Sequence, residues 1–381
     1  MRRPEPPVST EAYLRPALAG AAATFSGIGL ARFAYVPLFP AMVGAGWISG
    51  AEGGFLGAVN LSGYLAGVLG GRRLARAVGT ARALDLGIAL AAASFAACAW
   101  NGGVPWLAGW RAIAGIAGGV LMALAGPAVQ GAVVPPKRGA AGGVVLAGVG
   151  SGVIAGSLAV PLLLNAGVAG AWLGIGALVI ALWAFAHPRW PRVPVAMPDA
   201  SGTRPRAWPL FLAYGLSGAG MVPHMVYFVD LAVRGRGLAP PTGSLVWVLF
   251  GAGAIAGTLL GGRAADRWGG ARALQVCLAL QSCGVALALA PGTALLAPAA
   301  FVGAFGGVGI TASALARTRE LGGPAGAGSI WVKGTAIYAL AQAGVGFALT
   351  ALFAHTGTHE ALFGAGLAIS LAGLAAAMKR D

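Results

Sequence analysis

GGRAADRWGGARAL, residues 261–274, and GGRRLARAVGTARAL, residues 70–84, are two versions of one stretch, beginning 191 residues apart. Each opens on a glycine pair, passes through arginines to a further glycine (Gly79 in one, the pair Gly269 and Gly270 in the other), and closes on Ala-Arg-Ala-Leu. SGIG at 26–29 and SGAG at 217–220 repeat at the same offset, which is half of the 381-residue chain. The sequence therefore reads as two copies of one unit. On both sides of each basic stretch the residues are almost wholly apolar, which places the arginines at the ends of membrane-crossing segments.

Composition agrees with that placement. Hydrophobic residues make up 58% of the chain and charged residues 9%, with 65 glycines besides. A soluble domain carries about 25% charge to keep its surface wet. The polar residues here cannot coat a soluble fold of this size, so a soluble enzyme, a disordered chain and a disulfide-stapled secreted module are excluded. Cys98, Cys277 and Cys283 lie in apolar stretches with neither disulfide nor zinc spacing. No metal or cofactor is expected.

A helix needs about 20 apolar residues to cross the hydrocarbon core. Twelve segments meet that length approximately: Pro16–Ala41, Gly53–Gly71, Ala83–Trp100, Gly103–Ala125, Gly139–Leu163, Ala169–His187, Trp208–Leu231, Gly243–Gly262, Arg272–Ala290, Ala294–Ala316, Ser329–Ala354 and Thr358–Met378. The first is too long for a signal-peptide core and is read as retained. The polar, proline-containing stretch between them divides the chain into a six-helix half at 1–187, a linker at 188–207 and a second six-helix half at 208–381. With the N-terminus inside, alternate loops and both tails hold Arg2, Arg3, Arg15, Arg72, Arg73, Arg76, Arg82, Lys137, Arg138, Arg189, Arg192, Arg204, Arg206, Arg263, Arg267, Arg272, Arg317, Arg319, Lys379 and Arg380. The opposite loops hold only Arg234 and Arg236. Lysine and arginine mark the cytoplasmic side, so both termini are expected there. The net charge of +15 belongs to topology, and no nucleic acid is expected as a partner.

These features resemble the major facilitator superfamily over essentially the whole chain. Gly262, Asp266, Arg267, Gly269 and Arg272 are similar to its signature loop between spans 8 and 9. Arg111, Gly115 and Gly119 are similar to its arginine–glycine pattern in span 4, and Gly148, Gly150, Gly152 and Gly156 with Pro161 are a looser echo of its span 5 glycine pattern. GIGLARFAYVPLFPAM, beginning at Gly27, looks like the bacterial YbfB/YjiJ branch. The first-half loop departs from the signature, with Ala75 before Arg76 in place of aspartate and an extra residue before Gly79. The resemblance implies an all-α integral membrane fold of twelve helices in two pseudo-symmetric bundles. It also implies a multi-pass permease of the bacterial inner membrane, working by alternating access.

A charge at the centre of a span costs about 2.5–3.5 kcal/mol on insertion scales and needs a reason. Arg32 and Arg111 stand at matching depths in spans 1 and 4, with no comparably deep carboxylate in the first half. They are the leading substrate-binding candidates, for an anionic or carboxylate-bearing solute. Tyr35 shares a helix face with Arg32, and Asn60 and Gln342 lie near the middle of spans 2 and 11. His224, with Tyr227 three residues on, is the candidate for coupling to protons, since its side chain titrates near neutrality. Each candidate also has a structural alternative: Arg111 held by backbone carbonyls, Lys333 snorkelling to the interface, and Glu52 and Asp85 capping helix dipoles. Asp266 is expected to meet the start of span 5 near Lys137 or Arg138 and latch the inner side.

The expected function is secondary transport of a small solute between the halves, by a chain that binds lipid and is monomeric. Within the class, a multidrug or sugar-type efflux permease is the rival, using Tyr35, Tyr64, Tyr227, Tyr338 and Trp247 as an aromatic pocket. A transporter-shaped receptor or scaffold is the rival from another class. A membrane enzyme is disfavoured, because no cluster of His, Asp or Glu shares a depth.

Overall fold

The structure, a computed structural model, describes residues 10–191 and 207–379. Most of the expected linker, with Arg192, Arg204 and Arg206, lies outside the described residues, as do Arg2, Arg3 and Arg380. The described chain is helical throughout, with twelve membrane-length helices in two six-helix bundles. They are α1 (Tyr13–Gly44), α2 (Gly50–Val78), α3 (Thr80–Cys98), α4 (Gly103–Ala132), α5 (Arg138–Leu163), α6 (Gly167–Ala186), α7 (Trp208–Gly235), α8 (Pro240–Trp268), α9 (Gly270–Leu289), α10 (Leu296–Gly323), α11 (Gly326–Thr356) and α12 (His359–Met378). α5 and α6 run within one 52-residue helical stretch, Arg138–Arg189, divided at Gly167 with φ +77°. α10 and α11 are likewise divided at Gly323.

Several helices outrun the apolar segments that announced them. α2 continues to Val78, α4 to Ala132, α8 to Trp268 and α10 to Gly323. Crossing lipid requires only the apolar part, whereas backbone hydrogen bonding continues wherever no residue stops it. The signature stretch Gly262–Trp268 is consequently the last turns of α8 rather than a loop. The turn into α9 is Gly269 alone, with φ +82° and ψ 155°, and Gly79 takes the same form between α2 and α3 with φ +90° and ψ 151°. A side chain with a Cβ is strained at such φ values, which is why both repeats place glycine there.

Within the first bundle α2 and α4 pack at backbone distance. A Cβ on Gly115 would stand 2.1 Å from the Asn60 carbonyl, and one on Gly63 would stand 2.2 Å from that of Ala112. Between the bundles the repeat is visible as contact symmetry. α5 meets α8 through Gly150 and Gly251, and α11 meets α2 through Gly346 and Ala58. α1 meets α7 through Phe39 and Tyr227, with ring centroids 5.9 Å apart.

Two carboxylates flank the helix ends. Glu52 forms a capping box with Ser49 at the start of α2, as its position predicts. Asp85 departs from expectation: it lies beyond the first turn of α3 and caps nothing. Its Oδ1 accepts hydrogen bonds from the indoles of Trp183 and Trp190, both at 2.7 Å, and faces His187 Nδ1 at 3.0 Å. That cluster ties the end of α6, and the chain leaving it, to α3.

Candidate functional site

A cavity of about 540 Å³ lies between the bundles. It is lined along α2 by Tyr64, Val68, Leu69, Arg72, Arg73 and Arg76, and along α11 by Ser329, Trp331, Lys333, Thr335 and Tyr338. Arg76 and Lys333 place its mouth at the end of the molecule that carries the basic stretches. Arg32, Phe33 and Met225 line it further in.

Arg32 owes its position to a break in α1. Phe25–Leu30 is π-helical and residues 31–34 form a turn before α geometry resumes at Tyr35. A π-turn inserts a residue and re-aims the side chains after it, which is why such turns recur at functional sites. The Arg32 side chain is 8% exposed. Its Nη2 donates to Gln342 Oε1 at 2.8 Å, and Gln342 Nε2 stands 3.2 Å from the Met225 sulfur. The guanidinium lies 5.0 Å from the Tyr64 ring centroid and 5.6 Å from that of Phe33. Its Nε is buried with no hydrogen-bond partner, and no carboxylate among the described residues pairs with it. Thr335 Oγ1, also on the cavity wall, is another buried polar atom without a partner.

Arg111 does not reach this space. Its Nη1 donates to the Ala31 carbonyl at 2.8 Å and its guanidinium stands 4.4 Å from the Tyr35 ring centroid. Asn60 Nδ2 in turn donates to the Arg111 carbonyl at 3.0 Å. The two arginines thus part company: Arg111 braces the turn from which Arg32 projects, and Asn60 braces Arg111.

Tyr35 and Tyr227 belong to the plug that closes the cavity at its far end. Tyr35 Oη donates to the Gly53 carbonyl at 2.8 Å, and its ring stacks on Phe39 at 5.8 Å. Tyr227 contacts Phe39 and, at 5.6 Å, Phe353. Trp247 is buried against Phe250, with ring centroids 3.9 Å apart. His224 likewise does not line the cavity. It stacks on Phe228 and faces the Ala299 carbonyl from Nε2 at 3.3 Å, while Nδ1 is buried without a partner.

Beyond this plug lies a buried charge cluster. Asp230, wholly buried on α7, accepts two hydrogen bonds from Arg234 at 2.5 Å and faces His359 Nε2 of α12 at 2.7 Å. The Arg234 guanidinium also lies against the rings of Phe39 and Phe353, 5.8 and 6.0 Å from their centroids. It therefore spans the seam between the bundles. Arg236 pairs with Glu360 at 2.6 Å.

At the opposite end the signature residues make few contacts. Asp266, Arg267 and Arg272 are exposed, a Cβ on Gly262 would meet nothing within 4 Å, and Asp266 forms no ion pair among the described residues. Lys137 lies 5.6 Å from the Tyr13 ring and Arg138 donates to the Val133 carbonyl. Neither meets Asp266 in this conformation. The contact across the α8–α9 turn comes instead from Glu320 of α10, which accepts from the Gly270 N–H at 2.5 Å and pairs with Arg317 at 2.9 Å.

Sequence reading missed Met225, Tyr214, Trp331 and Thr335. Two signals point to all but Tyr214. The repeat offset carries Arg32 onto residues 223–225, and Trp331, Thr335, Tyr338 and Gln342 fall on one helical face of an apolar span.

A twelve-helix pair of bundles around a charged central cavity defines a membrane transporter of the major facilitator type. The chain belongs to the family described as uncharacterised MFS-type transporter YbfB, whose profile matches residues 24–377. Among solved structures it is similar to a bacterial homologue of the human lysosomal transporter Spinster in an inward-facing, unoccupied conformation. That match has a TM-score of 0.68 and 13% identity, covering 97% of this chain and 94% of the other. It is also similar to the human organic anion transporter MFSD10 (TETRAN), with a TM-score of 0.72 and 15% identity, covering 98% and 100%. No curated protein matches it by sequence.

Proposed function

We propose that this transporter carries a small anionic, carboxylate-bearing solute by alternating access, with Arg32 as the primary anion ligand. One observation carries the reading. The cavity is lined by Arg32, Arg72, Arg73, Arg76 and Lys333, and by no carboxylate among the described residues. An anion entering from the mouth passes a concentration of positive charge and ends at a guanidinium with an unpartnered Nε. Gln342 holds that guanidinium from α11, and Arg111 and Asn60 hold its turn from behind. In this reading the halves 1–187 and 208–381 rock about the cavity, joined by 188–207, in the bacterial inner membrane. The basic end and both termini face the cytoplasm, and the monomer is surrounded by lipid. Any proton coupling falls to His224, through its unpartnered Nδ1. Gly262, Asp266, Arg267, Gly269 and Arg272 act when the mouth closes, when Asp266 could approach α5.

The test is uptake of labelled carboxylates by proteoliposomes carrying wild type or Arg32→Gln. Removing one member of a desolvated charge pair costs at least about 2 kcal/mol, which corresponds to roughly a 30-fold loss of affinity. Transport of a carboxylate that is unchanged in Arg32→Gln would remove the arginine from the site. Transport of only neutral or cationic compounds would favour the multidrug or sugar-type permease. That second reading draws on the aromatic rings of the cavity wall. Binding without flux would favour a receptor.

A further inference from the structure

The cavity is chemically two-sided, and Arg32 accounts for only one part of it. On the wall formed by α7 and α11, Tyr214 stacks on Tyr338 with ring centroids 4.5 Å apart and planes at 28°. Tyr214 also stacks on Trp331, at 6.0 Å and 27°. All three rings line the cavity. Gly218 of the SGAG repeat makes room for this stack, since a Cβ there would stand 2.8 Å from the Tyr338 ring. Beside its arginines, the first bundle lines the cavity with apolar residues, among them Val68, Met122 and Val149. The volume of 540 Å³ falls in the range of drug-sized ligands and far exceeds what a two- or three-carbon acid fills.

We infer that the solute is an aromatic monocarboxylate, its carboxylate on Arg32 and its planar ring against the Tyr214–Tyr338–Trp331 stack. The inference rests on the anion reading above and adds the body of the ligand to its head. Rings packed in offset or edge geometry attract beyond the area they bury, so a flat aromatic ring gains on this wall where a puckered ring of equal size does not. Arg72, Arg73, Arg76 and Lys333 at the mouth raise the local concentration of the anion.

Three probes of nearly equal size separate the contributions: 2-naphthoate, its saturated decahydronaphthalene carboxylate and neutral 2-naphthamide. Binding is measured by calorimetry on purified wild type, Arg32→Gln, Tyr338→Leu and Trp331→Leu. The expected order is naphthoate over the saturated acid by about 2- to 12-fold, the range one aromatic pair contributes, with naphthamide weakest. Tyr338→Leu lowers naphthoate affinity toward that of the saturated acid, and Arg32→Gln removes the advantage of acid over amide. Trp331→Leu repeats the ring test, should Tyr338→Leu fail to fold. Equal binding of the two acids overturns the aromatic inference and leaves the anion reading standing. Equal binding of naphthoate and naphthamide overturns the anion reading and the inference with it. An absence of naphthoate binding to wild type overturns the inference outright, and short dicarboxylates then become the next probes of the basic cavity.

Discussion

A Gly115→Val protein is expected to accumulate in the membrane at a small fraction of the wild-type level, and to aggregate on extraction. The added Cβ would meet the Asn60 carbonyl at 2.1 Å and the Tyr64 amide at 2.9 Å, both backbone atoms that cannot swing aside. Gly67 and Gly119 continue the same seam, each within 2.3 Å of a backbone carbonyl if given a Cβ. Separating α2 from α4 also pulls the Asn60 side chain from the Arg111 carbonyl. Overpacking commonly costs 1–3 kcal/mol, and a clash against rigid backbone places this case at about 3 kcal/mol or more. Gly126→Ala in the same helix is the control, because a Cβ there meets nothing within 4 Å. Size-exclusion profiles of both proteins in detergent check the pair, and a monodisperse Gly115→Val at wild-type yield would refute the packing argument.

Asp230→Asn is expected to be the most damaging single change among the carboxylates. It leaves Arg234 and His359 facing each other across a site where the carboxylate is wholly buried. Removing one partner from a buried pair costs about 3–5 kcal/mol. The lower end applies here, since Arg234 is 30% exposed and water reaches it. The expected result is a thermal unfolding transition several degrees lower, with Asp230→Asn/His359→Gln less than additive because the two residues share one interaction. Arg234 also covers Gly50 at the start of α2, its Nη2 2.5 Å from where a Cβ there would stand, so a cysteine placed at Gly50 should react faster with a membrane-impermeant thiol reagent in Asp230→Asn than in wild type. Unchanged melting and labelling would show that the cluster contributes nothing to closure at this end.

The twelve crossings were legible because an apolar run of about 20 residues has one use, and the basic loops ordered them. The repeat further predicts which helices exchange contacts. Helix ends were less legible: apolar length locates the lipid-exposed part, whereas the ends of α2 and α8 are set by Gly79 and Gly269, which stop the backbone. Arg32 and Gln342 stand together because both are polar residues near the middle of spans that face the same gap. Arg111 looked equivalent by depth, yet depth does not give rotation about the helix axis, and its side chain turns toward Ala31 instead. Tyr35 and Tyr227 share helical faces with Arg32 and His224, and that spacing could not tell the cavity from the plug beyond it. Asp85 shows the same limit. Its partners Trp183 and Trp190 are about a hundred residues away, and only the packing of α6 on α3 brings them within hydrogen-bonding distance.

The uncompensated guanidinium of Arg32 also has an electrical meaning. A charge moved through the whole of a transmembrane potential changes energy by about 2.3 kcal/mol per 100 mV. An empty cavity that holds cations and, among the described residues, no carboxylate is itself a charged moving part, whereas a cavity with one carboxylate bound is closer to neutral. In an inside-negative membrane the field would then resist outward return of the empty carrier and act less on the loaded one. Voltage would set the pace of the step in which nothing is carried.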